Sequence, residues 1–147
     1  MRNLASPFGC LKIHSEVPHL LFPGLLRYAD VALLLLRLMV AAVFFTSGLS
    51  HVRDPAGRGR SIGEGPRFTF FIGCAEIAGS LGVAFGVFTQ AASIGLILIM
   101  FGSIQKKVFV WKTGFWGEKS SGWHYDLMMI LMNLVILTTG GGRYVIF

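Results

Sequence analysis

Four stretches of this chain are almost wholly apolar, and the polar residues gather between them. Residues Asp30–His51, Phe68–Phe88, Ala91–Val110 and Tyr125–Thr139 each read as one helix. The first is long enough at 1.5 Å per residue to match the roughly 30 Å of a bilayer's hydrocarbon core. Pro66 stands just before the second, and Gln105, Lys106 and Lys107 mark the far end of the third. The fourth is short for a span and stops at Gly140, Gly141 and Gly142. Only Thr89 and Gln90 separate the second helix from the third, which predicts an antiparallel hairpin. The other two links, residues 52–67 and 111–124, are long and polar. With four crossings both links fall on one side and form a polar cap. The expected fold class is all-α: an integral membrane four-helix bundle with two polar loops on one side.

Residues 1–28 read as a separate leader, broken by Pro7, Pro18 and Pro23. Its "HLLFPGLLRY" stretch is apolar enough to lie at a membrane interface. The interrupted apolar run lacks a small-residue cleavage site, so it is not read as a signal peptide. The division expected is 1–28 as a partly interfacial leader and 29–147 as the membrane domain.

Composition agrees with the pattern. Of the 147 residues, 54% are hydrophobic and 14% charged, where soluble domains carry about 25% charged residues. Between Phe68 and Gln105 the one charged side chain is Glu76. A formal charge of +6 would suit nucleic acid, but the basic residues lie in short loops flanking apolar runs. That placement orients a multi-pass protein and meets anionic lipid, so nucleic acid is excluded as a partner. The two polar links carry Arg53, Arg58, Arg60, Arg67, Lys106, Lys107, Lys112 and Lys119. The opposite side carries Arg2, Lys12, Arg27 and Arg143. The positive-inside rule then puts the links in the cytoplasm and both termini outside. Cys10 and Cys74 form no Cys-x-x-Cys pair, and no apolar signal segment precedes Cys10 to make a lipoprotein site.

Candidate chemistry is confined to a few positions. A carboxylate at the depth of Glu76 costs several kcal/mol unless paired, protonated or hydrated. Its small neighbours, Gly73, Gly79 and Ser80, let helices approach closely and place it toward the bundle. It is either a structural glutamate between helices or a proton-relay or ligand-binding carboxylate. Arg37 is its expected partner as a buried polar pair; the alternatives are pairing with Asp30 or snorkelling to the headgroups. His51 and His124 end up on the capped side and, with Asp126, make a candidate polar cluster, since imidazole titrates in the range useful for proton transfer. In "GWHYD", Trp123 and Tyr125 are expected as interfacial anchors and Asp126 as the cap of the fourth helix. No i, i+4 ligand pair occurs on any helix, so no metal site is expected. Phosphate-cradling, nucleophile-elbow and haem-attachment motifs are missing, so no covalently bound cofactor is expected, while quinone or lipid stays open.

From Val31 to Tyr144 the chain resembles the DoxX family of small four-helix membrane proteins. The resemblance is carried by "RLMVAAVFFTSGLSHVRDP", "FFIGCAEIAGSLGVAFGVFTQAASIGLIL" and "GWHYDLMMILMNLVILTTGGGRY", in that order. It implies a helical bundle in a bacterial cytoplasmic (inner) membrane. The family takes its name from a subunit of a thiosulfate:quinone oxidoreductase, other members belong with redox-stress complexes, and related eukaryotic proteins look like assembly factors. The missing Cys-x-x-Cys argues against thiol chemistry here. The function expected is an integral subunit that docks to or supports a quinone-linked redox complex, within a larger membrane assembly, without a redox centre of its own. It is not expected to be a stand-alone enzyme. The alternatives are an assembly or scaffold protein with no chemistry, and a small proton-coupled carrier using Glu76.

Overall fold

The computed structural model describes residues 21–117 and 122–146, and all regular structure among them is helical. Five helices follow in order: α1 (Ala29–Arg53), α2 (Pro55–Ile62), α3 (Pro66–Phe85), α4 (Thr89–Gln105) and α5 (Trp123–Thr139). A 3-10 turn, Pro23–Tyr28, feeds α1, and a π-helical turn, Lys106–Val110, ends α4. Residues 23–28, expected in the leader, thus continue into the first helix. The first 20 residues of that leader, Cys10 among them, lie outside the described residues, as does Lys119.

Three segments are long and apolar enough to cross a membrane: Pro23–Arg53, Pro66–Phe85 and Thr89–Val110. The 17 residues of α5 are shorter. The outer surface is inverted relative to a soluble globule. Leu35, Phe71, Phe85, Leu98 and Leu131 are exposed, while Arg37, Glu76, Asp126 and Asn133 are buried. Water would penalise such a surface, whereas hydrocarbon does not. This is a membrane protein.

Prolines and glycines set the ends. Pro55 cannot continue α1, so the chain breaks at Asp54 and restarts with proline in the first turn of α2. Asp54 Oδ1 accepts from the Gly57 N–H at 2.8 Å and caps that turn. The link 52–67, read as polar loop, therefore contains a short helix; its glycine and arginine content hides the signal. Pro66 starts α3 in the same way. The α3–α4 hairpin turns at residues 86–88, slightly earlier than expected, with Phe88 at φ 47°.

Antiparallel packing of α1 on α3 and of α4 on α5 makes two tight pairs, joined through α3–α4. The α1–α3 pair depends on two glycines. A Cβ on Gly48 would stand 2.7 Å from the Gly73 carbonyl, and one on Gly73 would stand 2.8 Å from the Gly48 carbonyl. Only bare backbone permits that approach. Val40, Phe44, Val83, Leu96, Met129 and Ile136 fill the space between the pairs.

Candidate functional site

The polar side chains singled out from the sequence lie, among the described residues, at four separate places that join one element to another. The deepest is Arg37, which is wholly buried. Its Nε donates to the Val83 carbonyl at 2.8 Å and its Nη2 to Ala84 at 2.9 Å, both near the C-terminus of α3. Its Nη1 donates to the carbonyls of Gly141 at 3.2 Å and Tyr144. Carbonyls at a helix C-terminus carry the negative end of the helix dipole, so they satisfy a guanidinium without a carboxylate. Gly140, Gly141 and Gly142 all have positive φ, and this run reverses the chain so that 143–146 fold back over α1. Asp30 holds the returning segment by accepting from the Arg143 N–H at 3.1 Å.

Glu76 sits elsewhere. Its Oε2 accepts from His51 Nδ1 at 3.1 Å, across the α1–α3 interface. Ser47 and Arg58 also lie within its field. The expected Arg37–Glu76 pair is not formed, and the reason is register. In an antiparallel pair Arg37 faces Val83, seven residues beyond Glu76 and about 10 Å further along α3. Both residues are deep in the sequence sense, but at different depths in space.

The third place is the α4–α5 junction. Ser103 Oγ donates to Asp126 Oδ1 at 3.1 Å, and Lys107 Nζ lies 2.7 Å from Oδ2. The Lys107 contact is one of charge and lacks the alignment of a hydrogen bond. Asp126 does not cap its helix, because α5 begins at Trp123 and its N-cap is Gly122, four residues before Asp126. The preceding lysine, Lys106, turns instead to α2, donating to the Ile62 carbonyl at 3.0 Å and pairing with Glu64. The wider π-helical turn lets consecutive lysines reach different elements.

The fourth place is "GWHYD" itself. His124 donates its backbone N–H to the Phe115 carbonyl at 3.2 Å, and its ring Nδ1 donates to the same oxygen at 2.7 Å. A carbonyl only accepts, so the proton resides on Nδ1. The rings of Phe115 and Trp123 meet edge-on at 4.5 Å, and Trp116 lies 5.1 Å from the His124 ring. His124 therefore pins the second polar link onto α5. It does not meet His51, and the three members of the expected polar cluster, His51, His124 and Asp126, each have a partner of their own.

Sequence reading missed the acceptors at Val83, Ala84 and Phe115, since backbone carbonyls leave no residue signature. It read Lys106 and Lys107 as marking the end of a helix, without assigning either them or Ser103 a partner. Among the described residues no three of His, Cys, Asp and Glu gather closely enough to hold a metal ion.

The family model described as DoxX matches residues 32–111. An uncharacterized membrane protein of Mycobacterium tuberculosis is 32% identical over 124 residues, covering 74% of this chain and 75% of that protein. No solved structure matches the chain.

Proposed function

The chain belongs to the DoxX family, and from that footing we propose that it is an integral membrane subunit that docks to or supports a quinone-linked redox complex, without a redox centre of its own. In this reading α5 is a fourth crossing, short enough to thin the bilayer locally or to pack partly out of lipid. Both polar links then lie together on the cytoplasmic side of a bacterial inner membrane, with the termini outside. Trp123 and Tyr125 rest at headgroup depth, as anchors.

One observation carries the proposal. Among the described residues the buried ionisable side chains all join elements: Arg37 to α3 and the returning segment, Glu76 to His51, and Asp126 to Lys107. Such contacts suit a rigid docking body better than a carrier, whose coupling carboxylate must exchange its partner during transport. The capped side, by contrast, presents large apolar rings to its surroundings. Phe109 is 77% exposed, Trp116 75% and Trp111 41%, among the basic residues Arg53, Arg60 and Lys112. Exposed aromatics beside arginine are the composition of a protein interface.

Purification of the chain from its native membranes in mild detergent tests this reading. Co-migration with a flavin- or haem-absorbing complex supports it. An assembly factor would associate only while such a complex is being built, and a carrier would purify alone and move protons in vesicles.

A further inference from the structure

A cavity of about 460 Å³ opens between α1 and the α4–α5 pair, beneath α2. Its long axis follows α1 from Ser50 down to Val43, a distance of about 10 Å. The upper end is polar, formed by Ser50, Arg58 and Tyr125, and the lower end is apolar, formed by Val43, Phe44, Met100 and Met129. The sole charged residue in its lining is Arg58.

The upper end holds two donors that the described residues leave unpaired. Ser50 gives its own proton to the Ser47 carbonyl at 2.8 Å, and its oxygen accepts from Arg58 Nη2 at 2.8 Å and Nε at 3.2 Å. That clamp fixes the guanidinium plane and leaves Nη1 without a hydrogen-bond partner among the described residues. The Tyr125 hydroxyl has no hydrogen-bond partner among the described residues, though it too lines the cavity. Thr46 spends its proton on its own helix, at the carbonyls of Ala42 and Val43. A ligand that brings acceptors engages both donors, and beside a guanidinium an anion is favoured. A planar fork with free N–H groups matches phosphate oxygens.

Position narrows the ligand further. Ser50 lies three residues from the end of α1 at Arg53, where the span meets water, and the apolar floor lies deeper, within the hydrocarbon zone. A polar mouth at headgroup depth over an apolar floor is the shape of an amphiphile. The walls also need a filler, since α1 meets α5 over far fewer residues than it meets α3.

We propose that this cavity is a binding site for one anionic phospholipid. The phosphate oxygens accept from Arg58 and Tyr125, and the upper part of an acyl chain lies against Phe44, Met100 and Met129. The lipid joins the α1–α3 pair to the α4–α5 pair on the face where protein contacts are sparse. This site is independent of any docking partner, and its test needs none.

The experiment is native mass spectrometry of the full chain in a neutral detergent, titrated with phosphatidylglycerol, phosphatidylcholine or glycerol 3-phosphate. The expected result is a one-to-one phosphatidylglycerol adduct that forms at about tenfold lower concentration than the phosphatidylcholine adduct. Glycerol 3-phosphate, which has the head and no chain, should not displace it. Arg58→Gln should remove the preference, and Arg58→Lys should keep part of it. Equal binding of the two lipids, measured on the unmodified chain, overturns the proposal without relying on any variant. So does an unchanged preference in a folded Arg58→Gln variant. Displacement by glycerol 3-phosphate at equal concentration also overturns it, since the site would then hold a free phosphate and not a lipid.

Discussion

His51 Nδ1 lies 3.1 Å from Glu76 Oε2, and this contact joins α1 to α3 one turn from the Gly48–Gly73 approach. The glycines bring the two backbones together, and the closeness in turn places a histidine within reach of a buried carboxylate. The His51–Glu76 contact therefore depends on the glycine approach.

That dependence predicts a steric result. Gly48→Leu forces a side chain into the Gly73 carbonyl and Ile77. It should abolish folded protein in a detergent gel-filtration assay. A Cβ added at Gly95 or Gly102 would meet nothing within 4 Å, so Gly95→Ala should be tolerated. Helix propensity alone would favour that change by about 1 kcal/mol.

The pair itself predicts an energetic one. Removing one member of a buried hydrogen-bonded pair leaves the other unsatisfied, which costs about 1–3 kcal/mol. Glu76→Leu should therefore lower the thermal midpoint more than Glu76→Gln, which keeps an acceptor for His51. The double change with His51→Leu should recover part of the loss. Strict additivity in that cycle would show that the two side chains do not interact.

Arg37 predicts a local effect. Arg37→Lys supplies one nitrogen where four carbonyls on two segments are bonded. Residues 140–146 should detach, and protease should cut there while α1–α3 stays protected. Gly86→Ala should have a related effect. Its φ is 72°, which costs an L residue about 1–2 kcal/mol, and its Cβ would stand 2.5 Å from Arg37 Nη2. Equal protease resistance of variant and parent would refute the role assigned to Arg37.

Three of the four expected spans were legible from the sequence because apolar runs, prolines and glycines act locally. Pro66 and the three glycines after Thr139 stand where the pattern put them, while the hairpin expected to turn at Thr89 and Gln90 turns a few residues earlier. Partnership was not legible, because it depends on register between helices. Glu76 and Arg37 were both readable as buried, yet a seven-residue offset along α3 sends one to His51 and the other to backbone carbonyls. His124 illustrates the second gap: its partner is the Phe115 carbonyl, which carries no side-chain signature. The cavity beneath α2 was hidden for the same reason, since it required knowing that residues 55–62 are helical and lie over Ser50.

Orientation is open to direct chemical test. With both polar links in the cytoplasm, Cys10 is external and should react with an impermeant thiol reagent on intact spheroplasts. Cys74, within α3, should not react with it. Labelling of Cys10 only after lysis would invert the arrangement.

In the function proposed, the chain docks through its capped side while its buried charges serve structure. Three forms purified from native membranes in mild detergent separate these roles: the parent, Trp116→Ser with Phe109→Ser, and Glu76→Gln. The parent and Glu76→Gln should co-migrate with a flavin- or haem-absorbing complex, and the double loop variant, still folded, should migrate alone. Migration of the parent alone, or release of the partner by Glu76→Gln but not by the loop variant, would contradict docking through the capped side.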